Sequence, residues 1–111
     1  MSYSSVSVSL VNVTKGTAVF RKIGRLVIAT IDGFKLKDSL ASGSGVDILS
    51  SFPNGYVPNA FYCYPVTSAS YSVSGRADAY LTSEKLKIRN WAETNIENYM
   101  FISTFLVYFT N

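Results

Sequence analysis

The chain has 111 residues, 15% of them charged and 14% aromatic, with a net charge of +3, no histidine and a single cysteine, Cys63. One domain of this size can bury about 65% of its unfolded surface, enough for a core without staples. The missing histidines and the lone cysteine exclude a Cys–His pair, a Ser–His–Asp triad, a Cys/His zinc site and an intrachain disulfide.

The other totals narrow the class further. No run of about 18 apolar residues is present, so no helical membrane insertion is expected. The opening Met1-Ser2-Tyr3-Ser4-Ser5 lacks the basic and apolar regions of a signal peptide. The ten basic residues are dispersed, with small groups at Lys15, Arg21, Lys22 and Arg25 and at Lys85, Lys87 and Arg89. They form no dense stripe of the kind a nucleic-acid binder shows. The charged fraction is below the usual ~25%. With so many Tyr and Phe, much of the surface is expected to be buried between subunits or in contact with something.

In chain order, the pattern is of short strands between turns, as in a sandwich or barrel. Residues 6–13 alternate, with Val6, Val8 and Leu10 apolar. Thr14-Lys15-Gly16-Thr17 reads as a turn, and the sequon-like Asn12-Val13-Thr14 as chance. Residues 18–23 form a second strand closed by Gly24. Residues 25–31 (RLVIATI) form a third, nearly continuous and therefore central, which Asp32-Gly33 is expected to end. Residues 34–40 are ambiguous and lead into a flexible loop at 41–45. Residues 46–49 form a short strand, and residues 52–59, with two prolines and Asn54-Gly55, a bend. Residues 60–66 return as a strand, in which Cys63 reads as a small buried hydrophobe. Residues 71–74 and 76–81 are strands either side of Gly75. Residues 85–89 alternate, with Leu86 and Ile88 inward, and residues 90–98 are a polar loop holding the only tryptophan, Trp91.

The end of the chain (YMFISTFLVYFTN, residues 99–111) carries the most information. At period two, Tyr99, Phe101, Ser103, Phe105, Val107 and Phe109 share one face; Met100, Ile102, Thr104, Leu106 and Tyr108 share the other. A surface strand of a sandwich should be apolar on one face only. This strand is apolar on both, so its outer face must be covered by the rest of the domain or by another copy of it. Phe101, Phe105, Val107 and Phe109 are the candidate oligomer interface. The expected fold is therefore all-β: one antiparallel, jelly-roll-like β-sandwich of about eight or nine strands over residues 1–111, in an oligomer.

Four short motifs occur in a familiar order. GTAVFRKIGRLV at residues 16–27 resembles the G-x-a-x-[YF]-R-K-[IV]-G-x-x-V opening of C-terminal head domains in phage tail fibres and receptor-binding proteins. FPNGYVP at 52–58 resembles their [LF]-P-x-G-[YF]-x-P turn. Residues 83–88 resemble their late x-G-x-[IL]-x-I hairpin, with Ser83-Glu84 where a glycine is frequent. The final strand resembles their F-x-I-S-x-x-Y-x-T ending, with the penultimate aromatic shifted. The nearest resemblance is to heads of phages infecting lactococci and related Gram-positive bacteria. It implies a homotrimer at a tail-fibre or baseplate tip, attached to other tail or baseplate proteins and binding host cell-surface saccharide. No shaft or shoulder of the kind that anchors such heads is expected within these residues, which are either an isolated domain or a fragment.

A saccharide site needs an aromatic face and fixed polar groups. Trp91, among Arg89, Asn90, Glu93 and Asn95, is either an anchor under the sandwich end or an exposed platform. In the resembling heads a Trp at about this distance from the C-terminus helps to bind sugar. Asp78 and Tyr80 point together, opposite Ala77 and Ala79, whose small face would let a ligand or a neighbouring subunit approach. Asp78 beside Arg76 is alternatively one half of an exposed ion pair. Trp91, Asp78, Tyr80, Arg89 and Asn90 are the candidate saccharide-binding residues, with Tyr56 and Asn59 weaker ones. No two carboxylates have a spacing that suggests the facing pair of a glycosidase, and no calcium loop, other metal site or cofactor motif is present. The expected role is adhesion without catalysis. The alternatives are a structural virion component with no ligand of its own and a monomeric carbohydrate-binding module.

Overall fold

A computed structural model of the chain describes residues 3–68 and 77–111. Among them are nine strands: β1 Tyr3–Ser9, β2 Val13–Lys15, β3 Thr17–Ile23, β4 Leu26–Leu36, β5 Gly45–Leu49, β6 Tyr62–Ser68, β7 Ala77–Leu81, β8 Leu86–Asn90 and β9 Ile102–Phe109. Every pairing is antiparallel, in the order β1-β3-β4-β9-β6-β7-β8-β5, with β2 added on β4. The all-β antiparallel fold expected from the alternation is what forms. Its two layers are halves of one curled sheet, and β6 belongs to both. Tyr62–Pro65 pair with β7, and Val66–Ser68 pair with β9.

One core lies between the halves. Phe20, Val27, Ala29, Ile31 and Leu106 come from one side and Ile48, Leu81, Leu86 and Ile88 from the other, all essentially without exposed surface. The proline-rich bend plugs one end. A turn closed by the Tyr56 N–H on the Pro53 carbonyl (2.9 Å) turns Phe52 and Tyr56 inward, edge-on to Phe20, with Phe52 also edge-on to Tyr108. The Tyr108 hydroxyl donates to the Tyr56 carbonyl at 2.7 Å. Burial pushes the Tyr108 phenol well above its ordinary value, so it stays a donor. Tyr56 is thus a core residue rather than a ligand contact.

Several local expectations are corrected. Asp32-Gly33 does not end the central strand. β4 runs on to Leu36 through a bulge, in which Ile31 faces Thr104 and Phe34 faces Ile102, leaving one extra residue on β4. Gly33, at φ 63°, supplies the left-handed conformation that the bulge needs. The extra residue keeps Ile31 and Phe34 on the same inward face, so the core stripe continues. The expected turn at residues 14–17 contains a strand, β2, and β1 stops at Ser9. Cys63 is exposed, because the inward phase of β6 belongs to Tyr62, Tyr64 and Val66. Ala77 and Ala79 lie in the core, so nothing approaches their face from outside. The strand expected at residues 71–74 lies outside the described residues.

Gly16 shows how tightly β2 is fitted. A β-carbon there would sit 2.5 Å from the β-carbon of Phe34, and its φ of 148° lies in a region that suits glycine. Gly16→Ala should lower stability by about 2 kcal/mol or more. The expected reading is a lower urea midpoint with an unchanged slope.

Candidate functional site

The outward face of β6, β7 and β8 gathers most of the candidate ligand residues. Register does this: Asp78 stands directly opposite Arg89, and Tyr80 opposite Cys63. Arg89 donates from Nε to Asp78 Oδ1 at 2.8 Å and from Nη2 to Oδ2 at 2.9 Å, a two-pronged geometry that fixes both planes. The Trp91 indole N–H donates to the same Oδ2 at 3.0 Å. The guanidinium carbon lies 4.1 Å from the Tyr80 ring centre and 5.2 Å from that of Trp91. Nη2 also reaches the Cys63 sulfur at 3.2 Å. Trp91 is 57% exposed, so it is not an anchor buried under the end of the sandwich.

The expected ion-pair partner of Asp78, Arg76, lies outside the described residues; the partner observed is Arg89. Burial alone would raise the Asp78 carboxyl. The hydrogen bonds from Arg89 and Trp91 and the charge of Arg89 outweigh it and hold the group below its ordinary value. Asp78 leaves Arg89 protonated more firmly in return. What faces solvent is a set of aromatic surfaces around an ordered, internally neutralised ion pair. Among the described residues, Nη1 of Arg89 has no protein acceptor. Such a surface can stack the apolar face of a ring and offer it donors and acceptors.

Asn90 is not part of this surface. Its side chain is completely buried, donating to the carbonyls of Leu40 and Thr94 at 3.0 Å each and accepting from the Ala92 N–H at 3.0 Å. It holds the loop that follows Trp91, because at period two it takes the inward phase between Arg89 and Trp91. Asn59 lies in a separate place, accepting from the Tyr62 hydroxyl at 2.7 Å. Sequence reasoning missed Phe61, an exposed ring 5.9 Å from Tyr80, as well as Cys63. The period-two spacing of Phe61 and Cys63 was the available signal.

On the other half of the sheet, Phe105 (54% exposed), Val107 and Phe109 (49% exposed) point outward, as the alternation required. Their cross-strand neighbours extend the surface. Leu26, Ile23 and Tyr3 continue the row of Phe109, and Ile28 continues that of Val107. Arg21 is the one charge in these two rows. Phe101 is set apart, with the ammonium groups of Lys15 and Lys35 at 5.6 and 4.4 Å from its ring centre.

The class that these features define is an antiparallel β domain with an aromatic, guanidinium and carboxylate cluster on one half and a nearly uncharged apolar band on the other. Neither a family model nor a curated protein matches the chain. Among solved structures, it is similar to the head domain of phage bIL170, a structure concerned with the receptor binding domains of lactococcal phages. The TM-score is 0.78, covering 99% of this chain and 100% of that chain, at 14% sequence identity. At that identity the likeness is one of fold, and it agrees with the resemblance carried by the four motifs.

Two outcomes test the geometry. Because the folded carboxyl titrates below its ordinary 3.8, the pairing adds stability above about that pH and loses it as pH falls through the lower folded value. The NMR signal of the Trp91 indole N–H should therefore shift with a midpoint below 3.8 and lose that midpoint in Asp78→Asn. Asn90→Ala should cost about 2 kcal/mol, because it strands buried backbone groups, as read by chemical denaturation.

Proposed function

We propose that this chain is a phage adhesion head that binds host cell-surface saccharide without catalysis. In this reading it works as a homotrimer at a tail-fibre or baseplate tip, in contact with other tail or baseplate proteins. The observation that carries the reading is the cluster of Trp91, Arg89, Asp78 and Tyr80 on a fold shared with the bIL170 head. An exposed Trp beside a Tyr, with a guanidinium fixed between them, suits the apolar face and the hydroxyl rim of a pyranose.

The homotrimer rests on a second feature. A sheet face that exposes Tyr3, Ile23, Phe105 and Phe109 together, with one charge in two cross-strand rows, is of the kind that association covers. Phe105, Val107 and Phe109 are the proposed interface, widened by Tyr3, Ile23, Leu26 and Ile28. Phe101, set apart beside Lys15 and Lys35, is left out of it. Three copies also suit adhesion, because weak single sites gain strength when several engage one surface.

Light scattering should give about three times 12.2 kDa, and Phe109→Asp should shift the mass toward one copy. On a glycan array the wild type should bind bacterial surface saccharides. Trp91→Ala should weaken binding about tenfold or more with an unchanged melting temperature, and maleimide on Cys63 should block binding by bulk. A monomer that binds no glycan would overturn the proposal. A trimer that binds none would leave a structural virion component.

A further inference from the structure

A cleft of about 670 Å³ opens on the same outer surface, where β6 parts from β9. Pro65, which has no N–H to continue a ladder, stands at the changeover. The Tyr64 hydroxyl bridges the fork by donating to the Val107 carbonyl. Pro65 and Phe105, where the proposed interface meets the cleft, form the apolar walls; Thr30, Thr67, Ser103 and Asp32 supply the polar ones.

Asp32 is aimed at this cleft by the bulge in β4. Ser103 Oγ accepts the Gly33 N–H at 3.0 Å and donates to Asp32 Oδ1 at 2.9 Å, which ties the bulge and the carboxylate together. Among the described residues, Asp32 Oδ2 has no hydrogen-bond partner and no basic group lies within ion-pair distance. An oriented acceptor beside an aromatic wall, in a concave site, calls for a ligand that brings donors. Its uncompensated charge disfavours a ligand carrying carboxylate or phosphate.

We infer that this cleft is a second saccharide subsite, taking a neutral or amino sugar of the same glycan that stacks on Trp91. The inference rests on the saccharide reading given above and adds the length and charge of the ligand. Arg89, Asp78 and Pro65 form one row across three strands. Thr30 and Phe105 face one another on β4 and β9 across the fork, beyond the end of the β6–β9 ladder at Val66. At about 5 Å per strand, Pro65, one wall of the cleft, lies about one spacing from Asp78. One hexose unit is about as long as one spacing, so a linear glycan of a few units would reach both subsites.

The test is an NMR titration of the whole chain with neutral mono- to tetrasaccharides of glucose, galactose, rhamnose and N-acetylglucosamine. The Trp91 indole N–H reports the first subsite; the amides of Gly33, Thr67 and Ser103 report the second. A tetrasaccharide that shifts the indole should also shift these amides and bind about tenfold or more tightly than its single sugar. Asp32→Asn and, separately, Thr67→Val should remove that gain and leave the single-sugar affinity at Trp91 unchanged, with the amide spectrum verifying the fold. If the indole responds and length adds nothing, with the cleft amides still, the second subsite is refuted while the saccharide reading stands. If no reporter moves with any sugar, both are refuted.

Discussion

The insertion of β9 between β4 and β6 is the constraint on which the rest of this molecule depends. Its ladder with β4 joins Leu26–Ile31 to residues from Phe109 back to Thr104, and its ladder with β6 joins Val66–Ser68 to Thr104–Ile102. Among the described residues, the β1-β3-β4 half and the β6-β7-β8-β5 half share no hydrogen-bonded edge without it. Its inward face is completely buried at Ile102 and Leu106 and almost so at Tyr108. The strand that seals the core pairs with β4 residues 68 to 83 positions earlier, so closure waits on distant contacts. Such long loops make folding slow rather than unstable.

The candidate surfaces follow from how that strand is held. Its outward residues continue the apolar rows of β4, β3 and β1, because cross-strand partners share a face. Its separation from β6 at Pro65 opens the fork in which Asp32 and Phe105 lie. On the far side of the same proline, antiparallel register places Asp78 against Arg89. Both regions are built on strands whose inward neighbours are core residues. A ligand would therefore meet side chains already ordered, and little binding energy would go into arranging them.

Much of this was legible from residue pattern alone. The two-faced final strand, the inward Leu86 and Ile88 and the central third strand all follow from periodicity, which reports a side chain's phase directly. Phase also placed Asp78 and Tyr80 together. The errors arose where a local signal met a tertiary requirement. Asp32-Gly33 is a strong turn pair in isolation, yet the core needs the β4 stripe to continue past it, so a bulge absorbs the extra residue. Asn90, polar and beside Trp91, looked like a ligand contact; it is buried because carbonyls from Leu40 and Thr94 converge on it. Cys63 reads as a core residue by type and as an outward one by phase, and phase decides.

The sequence by itself determined the all-β class, the alternation of each strand and the uncharged outer face of its last segment, because these depend on period and composition within a few residues. Only the tertiary structure decided that Arg89 and not Arg76 is the observed partner of Asp78, that Trp91 stands in solvent, and that a cleft opens beside Pro65. Those outcomes depend on register between strands distant in the chain, and a one-residue slip would turn each side chain to the opposite face.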